Sequence, residues 1–176
     1  MPARWRCACR PAGNNRFPVD PIAHRIVKIE LDERTVVRRN ADIEHERAVA
    51  IFDLLEENRF ALVDGAPGPY QLRLSIEENR LVFDIRTQAG EICDKVQIAL
   101  TPFRTVVKDY FTVCETYYEA IKRSSPSQIE ALDMGRRALH DEGSELLRER
   151  LKEKIQLDPN TSRRLFTLIC VLHIRG

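Results

Sequence analysis

The chain lacks most of the signatures by which a sequence declares its chemistry. No glycine-rich phosphate loop, nucleophile elbow, HExxH or paired CxxC occurs in its 176 residues. That excludes the motif-bearing forms of nucleotide, serine, zinc and dithiol chemistry, though not enzymes whose sites are dispersed along the chain. The longest apolar run, Leu165–Leu172, falls far short of the ~20 residues that span a bilayer. Met1–Gly13 carries arginines but no apolar core of the length a signal peptide needs. The five cysteines match no zinc spacing, and their odd number fits a reducing, cytoplasmic setting. A formal net charge of +1 gives no general attraction for nucleic acid or an anionic membrane, so neither is an expected partner. No cofactor is expected, and no metal.

What is present is a mixture suited to a folded, soluble chain: 43% hydrophobic and 31% charged residues. Residues 1–22 are rich in proline and arginine without periodicity, and are expected to form a disordered extension. Residues 23–176 are expected to form one globular domain. Cys7 and Cys9 form a CxC pair in that extension with no partner ligands nearby. Cys93, Cys114 and Cys170 sit among apolar residues and read as small buried hydrophobes.

Val27, Ile29 and Leu31 alternate with Lys28 and Glu30, the period of two that marks a strand. A helix capped by Asn40 or Asp42 runs to about Asn58, and Asp64–Pro69 is a turn-rich loop. Two alternating runs, Leu72–Ile76 and Leu81–Ile85, flank a short polar link at Glu78-Asn79 and predict a β-hairpin. Ala89-Gly90 reverses the chain into a third strand at Val96–Leu100. Everything after Pro102 reads helical. A wide apolar stripe runs from Phe103 to Ile121; Ser125-Pro126 with Gln128 forms a capping box; Gly143 breaks the next helix; and Ser144 restarts it to about Ile155. Asp158-Pro159 launches a last helix, apolar nearly all round and so central in the core. The fold class is α+β: an antiparallel β-meander plus an N-terminal strand, packed on one face by a C-terminal helical block and one earlier helix.

Candidate functional residues gather at helix starts and at the Gly143 break. His140, Asp141 and Glu142 with Ser144 and Glu145 could form an acid-base or ligand site, although neighbours on a helix diverge by ~100°. Glu44, His45 and Glu46 are separated in the same way and read as a solvated face. Arg47 lies in an apolar stripe and needs an acid, for which Asp109 or Asp133 would serve. Arg47, Asp109, Arg136, His140 and Glu142 therefore make up the candidate polar site. Of the arginines, Arg38-Arg39, Arg136-Arg137, Arg148, Arg150 and Arg163-Arg164, the last pair follows a helix start and is the candidate anion site. Asp133 stands three and four residues before Arg136 and Arg137, the spacing of intrahelical ion pairs. Tyr110, Tyr117 and Tyr118 read as core packing with hydroxyls at a rim.

The stretches KIELDERTVVRR, IEHERAVAIFDLLEEN, RLVFDI, SPSQIEALDMGRRALHDEGSELLRERL and RRLFTLICVLHIR resemble an uncharacterised protein family, number 0262, common in alphaproteobacteria. The resemblance runs from about His24 to Ile174. It implies a bacterial, cytosolic protein and transfers no catalytic or binding residue. The leading expectation is a non-catalytic binding or adaptor protein, meeting a protein partner or a second copy through its charged helices. One alternative is a small-molecule pocket or enzyme site between sheet and helices, around His140, Glu142 and Arg136. Another is RNA or phosphate binding through the arginine pairs.

Overall fold

The computed structural model describes residues 23–33 and 41–173. The expected N-terminal extension, the Cys7/Cys9 pair, Arg38-Arg39 and Asn40 lie outside the described residues. Strand β1 (Ile26–Leu31) lies parallel to strand β3 (Tyr70–Glu77). Parallel neighbours cannot be joined by a tight turn, so the chain crosses over between them through helix α1 (Ala41–Glu56) and short strand β2 (Phe60–Leu62). Strands β4 (Arg80–Thr87) and β5 (Ile92–Ala99) then complete an antiparallel meander, in the order β1-β3-β4-β5. Glu78 and Asn79 both take positive φ, 46° and 64°, which is the primed turn whose twist suits a two-residue hairpin.

The sheet is two-sided, as its alternation predicts. Leu72 stands opposite Ile85, and Phe83 stands between Leu74 and Val96; all are buried. The other face carries ion pairs between neighbours, Lys28 with Glu30 at 2.6 Å and Arg86 with Asp84 at 2.9 Å. On the apolar side lies a helical layer: α2 (Arg104–Arg123), α3 (Pro126–Leu151) and α4 (Pro159–His173), with α1 beside α4. Helix α4 is central, as its composition predicts, with Leu165, Phe166, Leu168, Ile169, Cys170 and Leu172 all buried. Its start is held by Asp158, which accepts from the Asn160 backbone N–H at 3.2 Å and from the Thr161 hydroxyl. At the start of α3, the Ser125 backbone N–H donates to Gln128 Oε1 at 3.2 Å.

Three expectations are corrected. Helix α3 does not break at Gly143; it is continuous to Leu151. The glycine is there for space. A Cβ at position 143 would come within 2.1 Å of Phe166 Cζ, so the ring lies directly against the α3 backbone. Ser144 does not restart a helix either. Its hydroxyl donates back to Asp141 O at 2.9 Å, and its own carbonyl accepts from Ser162 Oγ of α4 at 2.6 Å. The third correction concerns the end of α3. Residues 155–157 form strand β6, paired antiparallel with β2. Three-residue strands are too short for periodicity to reveal.

One side chain joins the sheet to the helical layer. Asn58, just past α1, donates from Nδ2 to Leu54 O at 2.6 Å and to Ile26 O at 2.9 Å, and accepts from the Ile26 backbone N–H at 2.7 Å. It closes the helix and pairs with β1 as another strand would. Nearby, the Arg59 N–H donates to Thr161 Oγ1 at 2.9 Å, and Arg164 donates to Glu57 O.

Two glycines of α3 separate helix propensity from packing. Gly135→Ala meets nothing within 4 Å and should raise stability by about 0.5–1 kcal/mol. Gly143→Ala should lower it by roughly 2–3 kcal/mol despite the same propensity gain. Urea denaturation of both variants reads the difference, and a Gly143→Ala protein as stable as wild type would refute the close approach.

Candidate functional site

Helix α1 runs antiparallel alongside α4, and the helices leave two adjoining clefts between them. The first, of about 270 Å³, is lined by Glu46, Val49, Ala50 and Asp53 of α1, His140 of α3, and Asn160, Arg163, Arg164 and Thr167 of α4. The second, of about 80 Å³, lies further along α4. It draws Asp42, Ile43 and Glu46 from α1, Tyr110, Phe111, Cys114, Glu115 and Tyr118 from α2, and Thr167, Cys170 and Val171 from α4. The two meet at Glu46 and Thr167.

His140 is the pivot of this region. Helical spacing puts it one turn after Arg136, on the side of α3 facing α4. It is 9% exposed and lies edge-on to Phe166 and Tyr110, with ring centroids 5.3 and 5.4 Å away. Its Nε2 is 2.8 Å from Thr167 Oγ1, which in turn donates to Arg163 O at 3.3 Å. That pattern assigns the imidazole proton to Nε2 and leaves Nδ1 an acceptor. Nδ1 is buried with no partner among the described residues. Burial, followed by the positive charges of Arg163 and Arg136, holds the His140 pKa down to about 4, so the ring is neutral near pH 7.

The surrounding groups are also kept un-ionised. Burial raises the thiols of Cys114 and Cys170 and the phenol of Tyr110. Burial, then the carboxylate of Glu46, pushes Tyr118 up to about 12, and its hydroxyl reaches Glu46 Oε1 at 3.4 Å. Arg136 keeps its charge. Burial opposes it, but Asp133 at 2.8 Å and Tyr110 outweigh that, and the guanidinium lies 5.4 Å from the Tyr117 ring centroid.

The five candidate polar residues divide between places. His140 and Arg136 share one face of α3 inside the helical layer. Asp109 and Glu142 are exposed, and neither makes a side-chain hydrogen bond or ion pair among the described residues. Arg47 pairs with Glu33, two residues past β1, rather than with Asp109 or Asp133. Asp133 is engaged as its spacing predicts, with Arg136 and Arg137. The candidate anion residues Arg163 and Arg164 do meet His140 in the larger cleft. The cleft therefore lies within the helical layer, not between sheet and helices as expected. Asp53 and Thr167 were missed, and Glu46, read as part of a solvated face, lines the cleft. The α1 spacing of Glu46 and Asp53 by two turns was the available signal, but nothing in the chain says that α4 faces them.

Stability should carry the imprint of the neutral imidazole. Between about pH 6.5 and about pH 4 the unfolded chain takes up a proton that the folded chain refuses, so stability falls as pH falls and then levels. The span corresponds to roughly 3 kcal/mol. Asp133 and Asp84, whose pKa values are lowered by their arginine partners, lose their contribution at more acid pH. Thermal midpoints at pH 7 and pH 5 should therefore differ more for wild type than for His140→Gln, and equal differences would refute the assignment.

The model of the uncharacterised protein family UPF0262 matches residues 23–175. A UPF0262 protein of Paramagnetospirillum magneticum is 58% identical over 156 residues, covering 89% of this chain and 99% of the relative. One from Rhodospirillum rubrum is 58% identical over 151 residues, covering 86% and 93%, and one from Hyphomonas neptunium is 57% identical over the same length and shares. No solved structure matches the chain. Among the described residues no helix is long and apolar enough to cross a membrane, and no three His, Cys, Asp or Glu side chains could hold a metal ion. With its family model spanning nearly all the described residues and relatives this similar over nearly their whole length, the chain belongs to the uncharacterised protein family UPF0262.

Proposed function

We propose that this protein is a non-catalytic, cytoplasmic binding protein whose ligand is a small molecule held in the cleft between α1, α3 and α4. The observation that carries this reading is the position of His140. It is a buried, neutral imidazole that lines a polar cleft walled by charged side chains from two other helices, and its acceptor nitrogen has no partner among the described residues. Leaving a buried acceptor unpaired costs about 1–3 kcal/mol, and a donor brought by a ligand would offset that. The cleft volume, about 270 Å³, falls just under the ~300 Å³ at which pockets for drug-sized ligands begin, which favours a small ligand.

The titration shifts favour binding over catalysis. A nucleophilic thiol needs a lowered pKa, whereas the Cys114 and Cys170 thiols are raised. A general base works best with a pKa near the operating pH, whereas that of His140 is lowered to about 4. Cys93, Cys114 and Cys170 are free thiols, in keeping with a reducing compartment. The arginines that suggested nucleic acid are engaged at home, Arg136 and Arg137 with Asp133, Arg148 with Glu145 and Arg163 with Asp141.

Backbone amide spectra of the full chain, titrated with a pool of soluble bacterial metabolites, test the reading. Shifts should concentrate at residues 46–53, 140 and 160–167, and a saturating ligand at a hundred times its Kd should add about 2.7 kcal/mol to stability. A pool that shifts no cleft residue would overturn it. A second reading, self-association through α1, is favoured by Phe52, which is 65% exposed beside the partly exposed Val49 on the lip of the same cleft. In that case the mass in solution should be that of a dimer and should return to a monomer in Phe52→Glu; a monomeric wild type would dismiss it.

A further inference from the structure

The two long walls of the cleft carry opposite charges that do not meet. Helix α1 presents Glu46 and Asp53, seven residues apart and so close to one line along the helix. Helix α4 presents Arg163 and Arg164. Facing acids and arginines would ordinarily pair, yet among the described residues no ion pair links these two walls. Arg163 turns to Asp141 on α3, and Arg164 donates to the Glu57 carbonyl. Among the described residues Glu46 is reached only by the Tyr118 hydroxyl, at 3.4 Å. The Asp53 carboxylate has no hydrogen bond or ion pair among the described residues. Between the walls stands His140, nine-tenths buried, with Nδ1 unpartnered among the described residues.

A ligand with a single charge would satisfy one wall and approach a like charge on the other, which is costly where water is partly excluded. A neutral ligand would leave Glu46, Asp53 and the Arg164 guanidinium without an ionic partner among the described residues, Arg163 being held by Asp141. A small molecule with a cation at one end and an anion at the other matches both. Arginine favours a planar carboxylate, which its fork can bind in bidentate fashion, and a primary ammonium supplies donors for Glu46 and Asp53.

Building on the reading of this cleft as a small-ligand site, we propose that its ligand is a zwitterion of the free amino acid class. The ammonium lies toward Glu46 and Asp53 on α1, and the carboxylate toward Arg164 on α4, beside the Arg163–Asp141 pair.

Calorimetric titration of the full chain with the twenty free amino acids, their N-acetyl acids and their amides tests this directly. One or more free amino acids should bind, with affinity falling at least tenfold on acetylation of the amine and on amidation of the acid. Asp53→Asn should weaken the zwitterion at least tenfold and leave the thermal midpoint of the free protein nearly unchanged; Glu46→Gln, on the same wall, provides a second variant should the first be unstable. Acetylated or amidated compounds binding as tightly as the free amino acids would overturn the zwitterion while leaving the cleft a ligand site. So would a cleft response to other metabolites with none to amino acids. Silence from amino acids and from the metabolite pool together would overturn both.

Discussion

The short segment Glu57-Asn58-Arg59 is the joint on which the structure depends. Its three residues address three different elements. Glu57 offers its carbonyl to Arg164 of α4, the Asn58 side chain closes α1 while pairing with the Ile26 backbone of β1, and the Arg59 N–H is taken by Thr161 at the start of α4. A helix end leaves carbonyls without partners, and an edge strand leaves both donors and acceptors. One amide side chain answers both needs at once. Replacing it with an apolar group of similar size would strand several buried backbone groups, a more severe change than losing packing volume alone. The joint also fixes which ends of α1 and α4 meet, and hence which charged residues face one another.

Polar groups in the helical layer follow a consistent rule: those that can lose their charge have done so, and those that cannot are paired. His140, Tyr110, Cys114 and Cys170 are neutral in their surroundings. Arg136 cannot be neutral, and it is provided with Asp133 and an aromatic ring. Glu46 and Asp53 stand apart because both line the cleft and neither has an ion-pair partner among the described residues. That distinguishes this surface from the ion-paired outer face of the sheet.

Much of the architecture could be read from local patterns. Alternation at Leu72–Ile76 and Leu81–Ile85 located the hairpin, and Glu78-Asn79 its turn. The nearly uniform apolarity of Leu165–Leu172 placed α4 at the centre, and the Asp133 spacing gave its two ion pairs. What stayed hidden depended on contacts between distant segments. Gly143 looks like a break because glycine is a poor helix former, and only the position of Phe166, 23 residues later, reveals it as a contact. Arg47 was offered acids from α2 and α3, whereas its partner, Glu33, lies just past β1. His140 and the Arg163-Arg164 pair were each picked out, but as members of separate sites. Their meeting is a property of how α3 crosses α4, and no spacing within either helix encodes it.

The glycine at position 143 has a mechanical consequence. With a phenylalanine ring laid against its backbone and the Ser162 hydroxyl bonded to the next carbonyl, α3 is joined to α4 without intervening side-chain volume to compress or rearrange. Interiors packed this tightly transmit displacement rather than absorb it, so the two helices form one rigid body. Helix α1 meets α4 differently, tethered firmly at Glu57–Arg59 and lined toward its other end by the cleft. The wall of the cleft that is not locked to α4 through its backbone is therefore α1, held there by its C-terminal tether and by Arg47 on Glu33.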